Sequence, residues 1–179
     1  MRLSAKFKEA NMNGVASIKE MLGLARQYLD AAIQDTDAKT MGEKLPGATV
    51  GPIGEIFGHT VSGEDWAFNQ LIQGKELILT SGGWAGKLGI AEGTKDPDWN
   101  AVAQDHLADL QAYGVAVRQA TDAFLDGLSD ADLDRDIDFF GRNEKMGWVI
   151  ADTVLVHVAF HSGEIASLKG VMGQKGLPW

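Results

Sequence analysis

Near the C-terminal end of the chain, Ile150, Val154, His157, His161, Ile165, Leu168 and Met172 recur at spacings of 4, 3, 4, 4, 3 and 4 residues. This near-heptad rhythm lays all seven on one stripe of an α-helix, whereas a strand turns every second side chain to the opposite face. The segment Met146 to Val171 is therefore read as a helix whose stripe faces other helices, with two imidazoles in its seam.

Three further segments carry the same kind of periodicity. From Ser17 to about Gln34 the stripe is Ile18, Leu22, Ala25, Leu29 and Ile33. From about Ile53 to Gly74, Ile56, His59, Gly63, Trp66 and Gln70 share the face read as inward, and the segment is apolar nearly all round. From about Asp98 to Leu128 the inner residues are Trp99, Ala103, Leu107, Leu110, Val117, Phe124 and Leu128. Between the second and third segments lies LTSGGWAGKLGIAEGTKDPDWN, a glycine-rich stretch read as a long crossover loop, and SDADLDRDIDFFGRN is read as an acidic connector to the last helix. Strand-like alternation is nearly absent. The expectation is an all-α four-helix bundle with a long crossover, formed by a single domain over residues 1–179.

Composition narrows the partners. At 179 residues and 45% hydrophobic the chain suits one core, and a net charge of −9 without a Lys/Arg stripe disfavours nucleic acid. The N-terminal stretch has basic residues but no continuous apolar run, and no segment approaches 18 uninterrupted apolar residues, so the expectation is a cytoplasmic protein without a membrane span. There is no cysteine, so any thiol chemistry must import its thiol.

His157 and His161 stand four residues apart on one helical face, where two imidazoles can converge on one divalent metal ion. His59, on the inward stripe of the second segment and near its middle, is the best third ligand. His106, between Asp105 and Asp109, reads as a surface histidine. The alternative is three core histidines hydrogen-bonded to neighbouring groups. Partnerless buried imidazoles would each cost about 1–3 kcal/mol, and one ion would satisfy all three together.

His59 followed by GEDWAFNQLIQG, a tryptophan-containing crossover, and DLDRDIDFFGRNEKMGWVIADTVLVHVAFHSGEIASLKGVMGQKGLPW together resemble the DinB-like (DinB/YfiT) superfamily over nearly the whole chain. The resemblance implies a four-helix bundle of up-down-down-up order, commonly dimeric, with a divalent metal, often zinc or nickel, on a histidine triad matching His59, His157 and His161. Many relatives carry His-Arg-Gly-Gln where this chain has His161-Ser162-Gly163-Glu164, so no role of that arginine or glutamine carries over. Characterised relatives include mycothiol-dependent maleylpyruvate isomerase and bacillithiol transferases. The leading expectation is a metal-dependent transferase joining a low-molecular-weight thiol to an electrophilic small molecule. Its rivals are a metal-dependent hydrolase and a non-catalytic, stress-related metal-binding protein.

Other signals read more plainly. Asp130 to Asp136 resembles the start of a calcium loop but has Arg135 at the sixth position and Gly141 at the twelfth, where glycine and glutamate are required. Glu64 and Asp65 are either acceptors behind an imidazole or polar-face residues, with the latter favoured for Asp65. Glu164 stands either at the site's rim as a proton acceptor or in solvent. Gly63 and Gly163, mid-helix, suggest close helix approach. Trp84 and Trp99 either line a pocket or pack a bundle end, and Trp66 and Trp148 are assigned to the core. Ile53, Phe57, Val61, Phe68 and Ile72, counted as the outer side of the second segment, point to a homodimer through that helix or through the tail ending in Trp179.

Overall fold

The computed structural model describes residues 13–177. Helix α1 (Gly14–Ile33) starts at Asn13, whose side chain caps Ala16 N, and the predicted stripe Ile18, Leu22, Ala25, Leu29 and Ile33 is buried throughout. After a short α2 (Ala38–Gly42), α3 (Ile53–Asp65) runs on into a π-wound stretch, Trp66–Ile72. The crossover is not free loop, because it contains two single-turn helices, α4 (Ile78–Ser81) and α5 (Trp84–Lys87). The third long helix is bent at His106, whose φ of −135° and ψ of 34° divide α6 (Trp99–Asp105) from α7 (Leu107–Asp126). The last helix runs as α8 (Met146–Ile150), a π-wound stretch (Ala151–Val156) and α9 (His157–Val171).

The connector before α8 departs from expectation. After a 3-10 turn (Asp130–Asp134), β1 (Asp136–Phe139) pairs antiparallel with β2 (Arg142–Lys145), Asp136 standing opposite Lys145 and Phe139 opposite Arg142. The alternation Asp-Ile-Asp-Phe buries Ile137 and Phe139, but at four residues it is too short to stand out in an acidic stretch. Positive φ at Phe140 and Gly141 closes the hairpin with the twist that favours paired strands. The exposed Phe140 ring stacks on Trp66 at 5.7 Å.

α3 packs on α6, α7 and α9, and α9 also packs on α1, so the long helices share one core. Met146–Val171 is apolar and long enough, by composition, to cross a membrane, yet Ile150, Val154, Val158, Ile165 and Leu168 are buried against the other helices.

Two assignments change, and one open alternative is decided. In α3, Phe57, Val61 and the following Phe68 and Ile72 are core together with Ile53, while His59 and Gln70 of the supposed inward stripe are exposed. A helix apolar on both sides does not reveal from its own period which side is buried. Trp148 is 42% exposed at the hairpin edge, with Phe139 and Arg142 against its ring, and is not core. Trp84 and Trp99 pack on the Tyr113 ring, at 6.1 and 6.5 Å, which is end-packing and not a pocket wall. Trp179 lies outside the described residues.

Candidate metal centre

Two helices running past each other supply the three imidazoles. His59 comes from the middle of α3, and His157 and His161 from the first turn and a half of α9. His157 Nε2 lies 3.0 Å from His59 Nε2 and 3.1 Å from His161 Nε2, and one ring nitrogen from each of the three falls within 4.8 Å of the others. The cluster sits at the edge of the helix packing and not in its interior: His59 is exposed, and His157 and His161 are half-buried. His106 stands elsewhere, its Nε2 against the backbone of Gly89.

Local packing explains the convergence. A Cβ on Gly63 would lie 3.0 Å from His157 Cε1, so the glycine one turn after His59 leaves room for the His157 ring to lean across α3. Gly163 has no neighbour within 4 Å of such an atom, so close approach explains Gly63 and not Gly163. The π-wound stretch ends where His157 begins, and shifts the phase of the helix there. Val154 is fully buried before that point, while the histidines turn toward the edge after it.

Glu164 proves to be an acceptor. His161 Nδ1–H donates to its Oε2 at 2.5 Å, which fixes the tautomer and leaves the His161 Nε2 lone pair facing His157. Glu64 and Asp65, in contrast, belong neither to the histidines nor to a solvated face. Glu64 is buried and accepts from Arg26 Nη2 and Nε, while Arg26 Nη1 reaches Asp122 at 2.6 Å. Asp65 is fully buried, accepting from Tyr113 Oη at 2.7 Å, Asn69 Nδ2 at 2.9 Å and the amides of Ile78 and Leu79 at 3.0 Å each. It anchors the crossover to α3 and α7, and burial, then the Asp65 carboxylate, hold the Tyr113 hydroxyl protonated beyond the phenol's usual range.

Hydrogen bonding alone does not settle the three rings. A neutral imidazole has one N–H. If His157 carries it on Nε2, the proton serves only one of two neighbours; if on Nδ1, it has no acceptor, because that buried atom lacks a partner. Three lone pairs converging on one ion remove the conflict on the Nε2 side, and the two separations made by His157, 3.0 and 3.1 Å, match it. Ligands at about 2.0–2.1 Å stand about 3.3 Å apart in a tetrahedron and about 2.9 Å apart at right angles. The residues therefore fit a divalent metal. Burial, then the neighbouring His161 and His59, push the His157 pKa down to about 4; His59, whose outer edge meets solvent, is also lowered, chiefly because its inner edge is desolvated. Neutral rings are the ligating form.

Thr153, one turn before His157, was missed in the sequence. Its Oγ1 is buried and unpartnered like His157 Nδ1, and its place four residues earlier was the available signal. A cavity of about 670 Å³ opens between the π-wound end of α3 and α7, lined by Asn69, Gln73, Ile78 and Phe124 among others, and no histidine lines it.

Residues 21–164 match the sequence profile of the DinB superfamily. A conserved protein from Enterococcus faecalis, known from a crystal structure, is similar in fold, with a TM-score of 0.74 at 16% identity over 91% of this chain and 99% of that one. No curated protein matches the chain in sequence.

Proposed function

The chain belongs to the DinB superfamily, and from that premise we propose that His59, His157 and His161 hold a divalent ion, zinc or nickel, for a transferase joining a low-molecular-weight thiol to an electrophilic small molecule. The carrying observation is the meeting of three Nε2 atoms, with His157 Nε2 3.0 and 3.1 Å from the other two and only one N–H to share between them. A bound ion there supplies Lewis acidity, lowering the pKa of a thiol or water ligand until it is a nucleophile near neutral pH. The chain's own residues prepare that chemistry. Glu164 orients His161 and raises the basicity of its Nε2, Gly63 admits the His157 ring, and the exposed flank of His59 leaves the approach to small molecules open. With no cysteine in the chain, the thiol comes from solution. That same openness to water favours a metal-dependent hydrolase as second reading. The up-down-down-up helix order, a cytoplasmic location and a homodimer belong to this proposal.

Thermal unfolding with and without zinc or nickel tests the site. Wild type should gain about 2.7 kcal/mol at a metal concentration one hundred times Kd, and His157→Ala and His161→Ala should lose most of that gain while remaining folded. Equal metal-induced shifts in all three proteins would sink the metal reading. Because the His157 pKa is pushed down to about 4 and that of His59 is lowered, protons should compete at His157 only as the pH falls toward about 4 and at His59 below pH 6.5. Metal-loaded protein that consumes neither thiol with an electrophile nor a hydrolysable ester would overturn both catalytic readings.

A further inference from the structure

One atom of the cluster is left over when an ion is placed in it. A ring that ligates through Nε2 carries its proton on Nδ1, so each histidine needs an acceptor, or water, at its other nitrogen. His161 gives that proton to Glu164, and His59 is exposed. His157 Nδ1 is buried without a partner, which is costly for an N–H. The surroundings narrow the choice of acceptor. Across the helix interface, the ring edge that carries Nδ1 and Cε1 faces Gly63: a Cβ there would lie 3.0 Å from Cε1 and 3.6 Å from Nδ1, and glycine has no side-chain acceptor to offer. Within the last helix, the residues one turn away are Thr153, Val154, Phe160 and His161. Val154 and Phe160 are apolar, and His161 is engaged through both ring nitrogens. Thr153 remains, and its Oγ1 is likewise buried and unpartnered.

Helix geometry brings the two atoms together. Four residues make about one full turn of α-helix and slightly less than one in the wider π-wound stretch Ala151–Val156, so Thr153 and His157 share a face under either winding. Helical side chains lean toward the N-terminus, which lays the His157 ring over the turn that holds Thr153. The Cβ atoms are then about 5–6 Å apart, a gap that one bond out to Oγ1 and two out to Nδ1 reduce to hydrogen-bond reach. Solvent reaches neither atom. Resting on the metal reading above, we propose that Thr153 is a positioning residue of the metal centre: on loading, its hydroxyl oxygen accepts from His157 Nδ1–H. The ion calls for this bond, because ligation through Nε2 leaves the proton on Nδ1. The bond in turn holds the ring at the angle at which it meets His59 and His161, as Glu164 does for His161.

Two variants separate positioning from packing. Thr153→Val keeps the shape and removes the acceptor, whereas Thr153→Ser keeps the acceptor and removes a methyl group. Zinc affinity, measured by competition with a chromophoric chelator, should fall about tenfold in Thr153→Val and stay within about twofold of wild type in Thr153→Ser. Metal-free thermal stability should not follow it: Thr153→Val should be as stable as wild type or more so, because the hydroxyl it removes is buried without a partner. In proton NMR spectra of the zinc-loaded proteins, the His157 Nδ1–H resonance should stand downfield in wild type and Thr153→Ser and move upfield in Thr153→Val. Undiminished zinc affinity in the valine variant, a serine variant as weak as the valine one, or a loss of affinity matched by a loss of metal-free stability would overturn the proposal and leave the metal centre standing. Wild type that binds no zinc would instead remove the metal reading and this role with it.

Discussion

A methyl group on residue 63 is the smallest change that separates the two jobs of α3, making a helix and making room for a ligand. Alanine is favoured over glycine in a helix interior by about 1 kcal/mol, so Gly63→Ala should leave the metal-free protein equally or more stable. Its Cβ, 3.0 Å from His157 Cε1, forces the ring to shift by a few tenths of an ångström out of line with His59 and His161. Metal affinity should then fall by about tenfold, the scale usual for a neighbour that orients a ligand. Isothermal titration beside thermal unfolding checks this; undiminished affinity would mean the ring has slack. Glu164 was legible from its place three residues after His161, and Thr153 from its place four residues before His157, whereas Gly63 gains its meaning only from the His157 ring on another helix.

At the scale of elements, α1, α3 and α7 are tied behind the site by Arg26, Glu64 and Asp122. Arg26 and Glu64 are both buried, so each charge depends on the other. Arg26→Met alone should cost about 3–5 kcal/mol, because Glu64 is left charged without its partner, and Arg26→Met/Glu64→Leu should recover most of the loss. Urea unfolding of wild type, Arg26→Met, Glu64→Leu and the double variant measures the coupling; equal losses in the single and double variants would show that the pair contributes through packing alone. Glu64 adjoins Gly63 in sequence yet points to the far side of α3, and helical phase accounts for both: one residue moves the side chain about 100° around the axis. The hairpin and the bend at His106 were illegible for a related reason. Each is a short departure whose payoff, Phe140 on Trp66 or His106 against Gly89, lies in another segment.

For the whole molecule, the expected pairing surface has moved. Ile53, Phe57, Val61, Phe68 and Ile72 are spent on the chain's own core, so they offer nothing to a second copy. Besides Val50, Val115, Phe140 and Trp148, exposed apolar residues lie on the last helix, at Val156, Phe160 and Val171, and on its neighbour α1, at Met21 and Leu24. If the proposed homodimer forms, this face is its place. Sedimentation at micromolar concentration should return twice 19.2 kDa for wild type and about 19.2 kDa for Leu24→Asp/Phe160→Asp. A wild-type monomer would end the homodimer proposal, and a dimer indifferent to the two changes would place its interface elsewhere.

Periodicity in the sequence determined the long helices, because a stripe at every third or fourth residue leaves a chain no other way to bury its apolar groups together. The stripe of α1 and the pairing of His157 with His161 were readable on the same ground, since both are relations within one helix. The tertiary structure alone decided which side of α3 is inside, and therefore that His59 meets the other two at an exposed edge with Gly63 as the clearance between helices. A helix apolar all round can be buried on either side at similar local cost. The choice falls to what the other helices present, here the core of α7, the Arg26 charge that Glu64 answers and the Tyr113 hydroxyl that Asp65 accepts.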